Sequence, residues 1–412
     1  MSPRHLSRSE FLALTGLLSG ATLVPRGARA AVPPAQATAP PGKTAAVTPK
    51  PSRVSSAALR RGCRAALAPG ATVDPGAELI RIGEWVQRRG LEQDFYGGSA
   101  FIEDFEARIA RLLGCEAACF MPTGTMGQLI ALRIYADASG NRNVGLHPSS
   151  HHVLHENNSH VVLHGLHDVI IAPWIRPLLA TDVRGAREAL GTVSVELPVR
   201  WLGGQLPTWA QLEDLKRTCR SQGVKLHMDG ARLWECQPFY QRSYADVCRG
   251  FDSVYVSFYK TVGAIGGAML AGKRDFIRSA RTWRHRHGGN VYQMLPFVAS
   301  AAMRLDDALA RIPEHVRRAK LLSEALASDD RLTVLPRPAQ TSMFRVYLRG
   351  EPAELSARRD RIASEDKVWV ANGFSPTRVP GISETELQVS EDLGEVTEEA
   401  AAQAFRKLLD PA

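Results

Sequence analysis

No two of the six cysteines, Cys63, Cys115, Cys119, Cys219, Cys236 and Cys248, form a Cys-x-x-Cys pair, and none stands at a paired metal-ligand spacing. That excludes a cysteine zinc module and a dithiol redox motif. A chain of 412 residues can bury a core without disulfides, so the cysteines read as small apolar residues. Export would allow one or two disulfides. Acidic residues are nearly missing from residues 1–53, where Glu10 stands alone against Arg4, Arg8, Arg26, Arg29, Lys43, Lys50 and Arg53. Those residues carry +6 of the net +9, which leaves +3 for residues 54–412 and argues against a nucleic-acid partner.

A long apolar run is also absent. Phe11 to Val24 is too short to span a bilayer comfortably, but behind Arg4 and Arg8 and ahead of Ala28-Arg29-Ala30 it has the layout of a secretory signal. Ser7-Arg8-Ser9-Glu10-Phe11-Leu12 resembles a twin-arginine export signal with Ser9 in place of the second arginine. The expectation is a signal-like segment over 1–30 and an exported protein, periplasmic or secreted, without stable membrane insertion after cleavage. The alternative is a cytoplasmic protein with an uncleaved leader. Residues 31–53, rich in Pro, Ala, Thr and Lys, read as a linker.

Seven of the twelve histidines are concentrated in one stretch. His147, His151, His152, His155, His160, His164 and His167 fall within residues 146–168, yet His155-Glu-Asn-Asn-Ser-His160 has one residue too many for a zinc-protease helix. A spacing of five turns the second histidine about 140° around a helix. His151 and His155 have i, i+4 spacing with no carboxylate between them, so no metal site is assigned.

The positive signals begin near Val54. Ile102, Phe105, Ile109 and Leu112 recur at helical spacing, Ala117 to Met121 reads as a strand, and Pro122-Thr-Gly-Thr-Met-Gly127 leads into an apolar helix. Unpaired N–H groups at that helix start make an anion site plausible, with a plain helix cap as the commoner explanation. Trp209 to Ser221 reads as an amphipathic helix, and Val224 to Asp229 as a strand ending on a carboxylate. Ser253 to Phe258 reads as a buried strand, followed by Lys260 and four glycines. An amine walled by apolar neighbours loses its charge easily and becomes nucleophilic; the alternative is a surface lysine capping the strand. Alternating strands and helices with polar residues at strand ends indicate an α/β domain with a mainly parallel sheet. The pattern predicts a large cofactor-binding domain over 54–309 and a smaller C-terminal α+β domain over 310–412.

An anion turn, a histidine, a strand-end aspartate and a lysine at its own strand end suit one cofactor. Pyridoxal 5'-phosphate uses a helix N-terminus for its phosphate, an amine for its aldehyde, a carboxylate for its ring nitrogen and a flat side chain against its ring. The chain also resembles the threonine aldolase family, near the β-eliminating lyases and within the fold-type I pyridoxal-phosphate enzymes. The matching stretches are Phe95-Tyr-Gly97, Pro122-Thr-Gly-Thr-Met126, Ser150-His151 with Glu156, Leu226-His-Met-Asp-Gly-Ala-Arg-Leu233, Val256-Ser-Phe-Tyr-Lys260, His287-Gly-Gly-Asn290 and Gln340-Thr-Ser-Met343.

By that resemblance Lys260 carries the cofactor as a Schiff base, Asp229 pairs with the pyridine nitrogen, and Gly124 and Thr125 hold the phosphate. His151 stacks on the ring and assists proton transfer. Arg232 lies near the cofactor's phenolic oxygen and the substrate carboxylate, binding both, and Tyr96 approaches the substrate. The implied reaction splits a β-hydroxy-α-amino acid into glycine and an aldehyde, in a homodimer or homotetramer. The chain departs from the family at four places: the family's Arg-Ser-Asp stretch has no clear counterpart among residues 54–95, Glu386 stands where an arginine is expected, Tyr292 precedes Gln293 where the family has an arginine, and Glu196-Leu-Pro198 replaces Glu-Asn-Thr. A glutamate at that position predicts like-charge repulsion of a substrate carboxylate unless Arg200, Arg284, Arg286 or Arg345 compensates. Two other readings stay open: another reaction at the same cofactor (β-elimination, racemisation or transamination), and a non-catalytic or metal-binding protein.

Overall fold

Seven strands, six of them buried along most of their length, build the central sheet of the computed structural model, which describes residues 55–68, 70 and 74–410. The signal-like segment and the linker lie outside the described residues. In chain order the first short strand is β1 (Ala65–Ala66), and the sheet strands are β2 (Ala117–Met121), β3 (Asn143–Leu146), β4 (His167–Ile170), β5 (Thr192–Glu196), β6 (Lys225–Gly230), β7 (Ser253–Ser257) and β8 (Ala268–Gly272). Their spatial order is β2-β8-β7-β6-β5-β3-β4, and β8 alone runs against the others. Six strands therefore end at the same edge, and the residues that follow them meet there.

Local sequence explains the connecting elements. Thr208 caps the helix Trp209–Ser221 by accepting from the Gln211 N–H while Gln211 accepts from the Thr208 N–H, a reciprocal capping box. Thr123 caps the helix Gly124–Ser139 in the same way on one side, its hydroxyl accepting from Met126 N at 3.3 Å. Gly140 closes that helix at φ 68°, a left-handed angle that glycine adopts without strain.

The C-terminal sheet is antiparallel. Its strands are β9 (Leu332–Leu335), β10 (Met343–Arg349), β12 (Ser375–Pro376) and β13 (Ile382–Gln388), in the order β12-β13-β10-β9, while β11 (Val368–Trp369) pairs with β1. Residues 54–412 form one compact unit. The boundary expected at 310 falls inside the helix Leu295–Leu326, which serves two cores: Val298 to Val316 pack with the central sheet, and Ala319 to Leu326 with the C-terminal sheet. Leu67 also belongs to the second core, and β1 pairs with β11, so this segment packs with the C-terminal elements although it precedes the central sheet in sequence. The strand β13 was not read from the sequence, because Ile-Ser-Glu-Thr-Glu-Leu-Gln alternates around two glutamates rather than running apolar.

Candidate active site

Lys260 sits three residues beyond the end of β7, on a loop whose backbone is pinned from several sides. Two residues earlier, Phe258 is fully buried among Phe105, Phe120 and Trp234, with ring centroids 5.4, 6.1 and 6.4 Å away. Trp234 donates its indole N–H to the Ser257 carbonyl at 3.1 Å, and Ser257 donates to the Ala231 carbonyl at 2.7 Å. Gly263 N–H closes the turn on the Lys260 carbonyl at 3.1 Å. Burial lowers the pKa of the Lys260 amine, and the nearby Arg232 guanidinium lowers it further, with Asp229 and Glu196 opposing in part. The neutral, nucleophilic amine is therefore more accessible than for an exposed lysine.

The register of the sheet sets the neighbours of this loop. Asp229 on β6 pairs with Glu196 on β5 and with Tyr255 on β7, so three functional side chains share one row. Asp229 is 3 % exposed; it accepts from Gln128 Nε2 at 2.5 Å and from Ala231 N–H at 3.1 Å. The Gln128 carbonyl faces His227 Nε2 at 3.0 Å, and His227 Nδ1 faces the Ser253 hydroxyl at 2.7 Å. Burial pushes the His227 imidazole down to about 3, which keeps it neutral, with the Nε2 proton donated to Gln128. A neutral relay thus orients the Gln128 amide so that its NH2 group donates to the Asp229 carboxylate, which remains an acceptor.

Gly124 and Thr125 open the helix beside this row. A Cβ on Gly124 would lie 2.0 Å from the Tyr255 hydroxyl and 2.7 Å from that of Tyr259, so the helix start approaches those phenols as only glycine permits. The two hydroxyls are 3.2 Å apart, and the Lys260 amine lies 5.7 Å from the Tyr259 ring centre. His151 starts the helix His151–His155 after β3; its Nδ1 donates to Glu156 at 2.8 Å, which leaves Nε2 uncommitted. His152 holds the other Glu156 oxygen at 3.2 Å. Burial alone would raise the Glu156 pKa, but these two hydrogen bonds outweigh it and hold the carboxyl well below its ordinary range. The segment is not one helix: Asn157 and Asn158 take φ 49° and 55° and break it before Ser159–His164, so the rotation expected between His155 and His160 does not apply. Among the described residues no group of three or more His, Cys, Asp or Glu side chains is placed to hold a metal ion.

Residues 87–350 match the model of the β-eliminating lyase family. This chain belongs to that family. A solved structure from Listeria monocytogenes, provisionally assigned as an L-allo-threonine aldolase, is 36 % identical, with a TM-score of 0.79 over 85 % of this chain and 98 % of that one. Low-specificity L-threonine aldolase 1 of Arabidopsis thaliana is 27 % identical over 62 % of this chain and 74 % of its own length. A serine palmitoyltransferase from S. paucimobilis, solved with bound pyridoxal phosphate, shares the fold at 16 % identity and a TM-score of 0.62, covering 83 % and 86 % of the two chains.

The site of this β-eliminating lyase family member fits the cofactor expected from its sequence. Arg232 Nε and Glu196 Oε2 are buried without a partner among the described residues, beside an amine, a relay-held carboxylate and a glycine helix start. Lys260 and Asp229 would hold the cofactor's aldehyde and ring nitrogen, Gly124 and Thr125 its phosphate. Tyr96 is 56 % exposed with φ 55°, and it packs edge-on against Tyr292 at 5.4 Å.

The charge expected of Glu386 needs correction. Arg200 binds it through Nε at 2.9 Å and Nη2 at 3.2 Å, and Arg345 approaches at 3.5 Å while also pairing with Glu384 at 3.2 Å. Glu386 is therefore paired and presents no free negative charge to a substrate. Arg200 also acts electrostatically on Lys260 and His155, which places it by the site. Arg284 and Arg286 have other partners: Arg284 donates to the Phe120 carbonyl at 2.9 Å, and Arg286 lies over the Trp283 ring at 4.6 Å. Sequence reading assigned no role to Gln128 or His227. The available signal was His227 two residues before Asp229, a polar side chain at the same-face position of a buried strand.

Proposed function

We propose that this chain is a pyridoxal-phosphate-dependent lyase that cleaves the Cα–Cβ bond of a β-hydroxy-α-amino acid to glycine and an aldehyde. The observation that carries this reading is the Lys260 amine, depressed in pKa, on the same sheet edge as Asp229 and the Gly124 helix start. When bound, the cofactor supplies an electron-withdrawing ring that takes up the electron pair left at Cα. Asp229, oriented as an acceptor by its two N–H donors, would hold the cofactor's ring nitrogen. Arg232 and Arg200 grip the substrate carboxylate, the first through its unpartnered Nε and the second from its frame with Glu386. His151, its Nδ1 proton fixed on Glu156, takes the β-hydroxyl proton at Nε2 as the Cα–Cβ bond breaks and the C–O bond becomes a carbonyl. A proton returned to Cα completes glycine. Relatives named as threonine aldolases support the substrate class.

The test is an absorption spectrum of the purified chain with added pyridoxal phosphate, before and after borohydride, beside Lys260→Ala, followed by product analysis and sedimentation of the same sample. A visible band lost on reduction and absent from the variant, with glycine and an aldehyde formed from threonine by a dimer or tetramer, is expected. A colourless protein would overturn the cofactor assignment. A keto acid or an inverted amino acid in place of glycine would overturn the bond assignment.

A further inference from the structure

Glu235 is a carboxylate with no exposed surface, set between Trp234 and Cys236, which are equally buried. It lies on the short 3-10 turn Leu233–Cys236 that follows Arg232, six residues beyond Asp229. A charge in such a place is costly unless every lone pair is used. Its Oε1 accepts from the Thr261 hydroxyl at 2.8 Å and from Gln388 Nε2 at 3.2 Å. Its Oε2 accepts from the Ser342 hydroxyl at 2.7 Å, and Gln388 Nε2 reaches the same hydroxyl at 3.3 Å. These donors are neutral, and they come from three segments far apart in sequence. Thr261 is the residue after Lys260. Ser342 immediately precedes β10, and Gln388 ends β13.

We infer that Glu235 is a positioning residue for the Lys260 amine: it ties the lysine loop and the Arg232 turn to the start and end of the two central strands of the C-terminal sheet. The chemistry requires a carboxylate there. Three donors converge on two oxygens, and a glutamine would turn an NH2 group toward one of them. An apolar side chain would take the acceptor from the Thr261 and Ser342 hydroxyls and leave Gln388 only its contact with Ser342. Thr261 reaches Glu235 from the position next to Lys260, so losing that bond frees the lysine loop without touching the amine. The other anchors of the loop hold Ser257, Phe258 and Gly263, two or three residues from the lysine, and Tyr259, whose hydroxyl meets that of Tyr255 at 3.2 Å. Thr261 is therefore the side-chain tether that links the residue next to Lys260 to the C-terminal sheet, as Tyr259 on the other side links to β7.

This inference deepens the lyase reading and rests on it, so the experiment separates the two. Thr261→Val keeps the branched shape and deletes the hydroxyl, Thr261→Ser keeps the hydroxyl, and Ser342→Ala cuts the other end of the link. Amide hydrogen exchange over residues 257–265 is measured on the full chain without cofactor, and kcat and KM on the loaded enzyme with threonine. Thr261→Val is expected to speed exchange in that loop tenfold or more and to lower kcat about tenfold with KM within twofold. Thr261→Ser is expected to restore both, and Ser342→Ala to move both in the direction of Thr261→Val. A Thr261→Val protein with a lower melting temperature but unchanged loop exchange and kcat would make Glu235 a structural residue only and overturn the inference. So would a Thr261→Ser protein that behaves like the valine variant. A wild-type chain with no turnover would sink the lyase reading, while the exchange comparison would still decide whether Glu235 holds the loop.

Discussion

Lys260 is charged in the folded protein only at a cost, and that cost is the basis of its reactivity. Burial depresses its pKa below the ordinary 10.5, and Arg232 adds to the effect. Between the two values the unfolded chain binds more protons than the folded one, so the stability of the cofactor-free protein rises with pH through that window. Below the folded value the penalty is complete, and above 10.5 it is gone. Lys260→Met in the cofactor-free chain is therefore expected to raise the urea midpoint at pH 7, with the gain shrinking to nothing as pH passes 10.5. An equal gain at every pH would mean that packing, not desolvation of the ammonium, separates the two proteins. Glu156 follows the opposite logic, with His151 and His152 holding it ionised, and it leaves the His151 ring one free nitrogen.

At the level of elements, the helix Gly124–Ser139 has two tasks that pull on the same residue. Alanine at a helix start would ordinarily be neutral or favourable relative to glycine, by up to about 1 kcal/mol. Here its methyl carbon would meet the Tyr255 hydroxyl at 2.0 Å, and Tyr255 is fixed in the buried strand β7. Steric cost wins. Gly124→Ala is expected to destabilise by about 1–3 kcal/mol, read as a drop in the chemical-denaturation midpoint, and to weaken pyridoxal-phosphate binding because the helix start is pushed back. A variant as stable as the parent would show that the helix can shift away from Tyr255 without loss. The Gly-Thr turn was readable as an anion site, but the reason for the glycine was not, because Tyr255 lies 131 residues further on.

Across the whole molecule, the helix Leu295–Leu326 joins the two cores and the ion pairs around Glu386 join the two sheets. Arg200 follows β5 of the central sheet, whereas Glu386 and Arg345 face each other across β13 and β10. With its side chain 38 % exposed, Arg200 contributes little as a salt bridge, about 0–1 kcal/mol. Its value is in position. Arg200→Ala is expected to leave the melting temperature nearly unchanged and to raise KM for the amino acid about tenfold, a loss of about 1.4 kcal/mol of binding. An unchanged KM would leave Arg232 as the sole carboxylate anchor. Arg345, nearly buried, over the Trp201 ring at 4.3 Å and still paired with Glu384, keeps Glu386 compensated in that variant.

The α/β class, the helices Trp209–Ser221 and Leu295–Leu326, and the placing of Asp229 and Lys260 at strand ends and of Gly124 at a helix start all follow from short-range chemistry. A capping box such as Thr208 with Gln211 involves residues three apart, and a buried strand ending on a carboxylate or a lysine is visible in about six residues. What the tertiary structure decided are the pairings made over long separations. Gln128 meets Asp229 across 101 positions, Arg200 meets Glu386 across 186, and Glu235 meets Ser342 across 107. Those contacts depend on strand order and register, which no local pattern encodes, and they turned Glu386 from an expected source of repulsion into the partner that holds an arginine at the site.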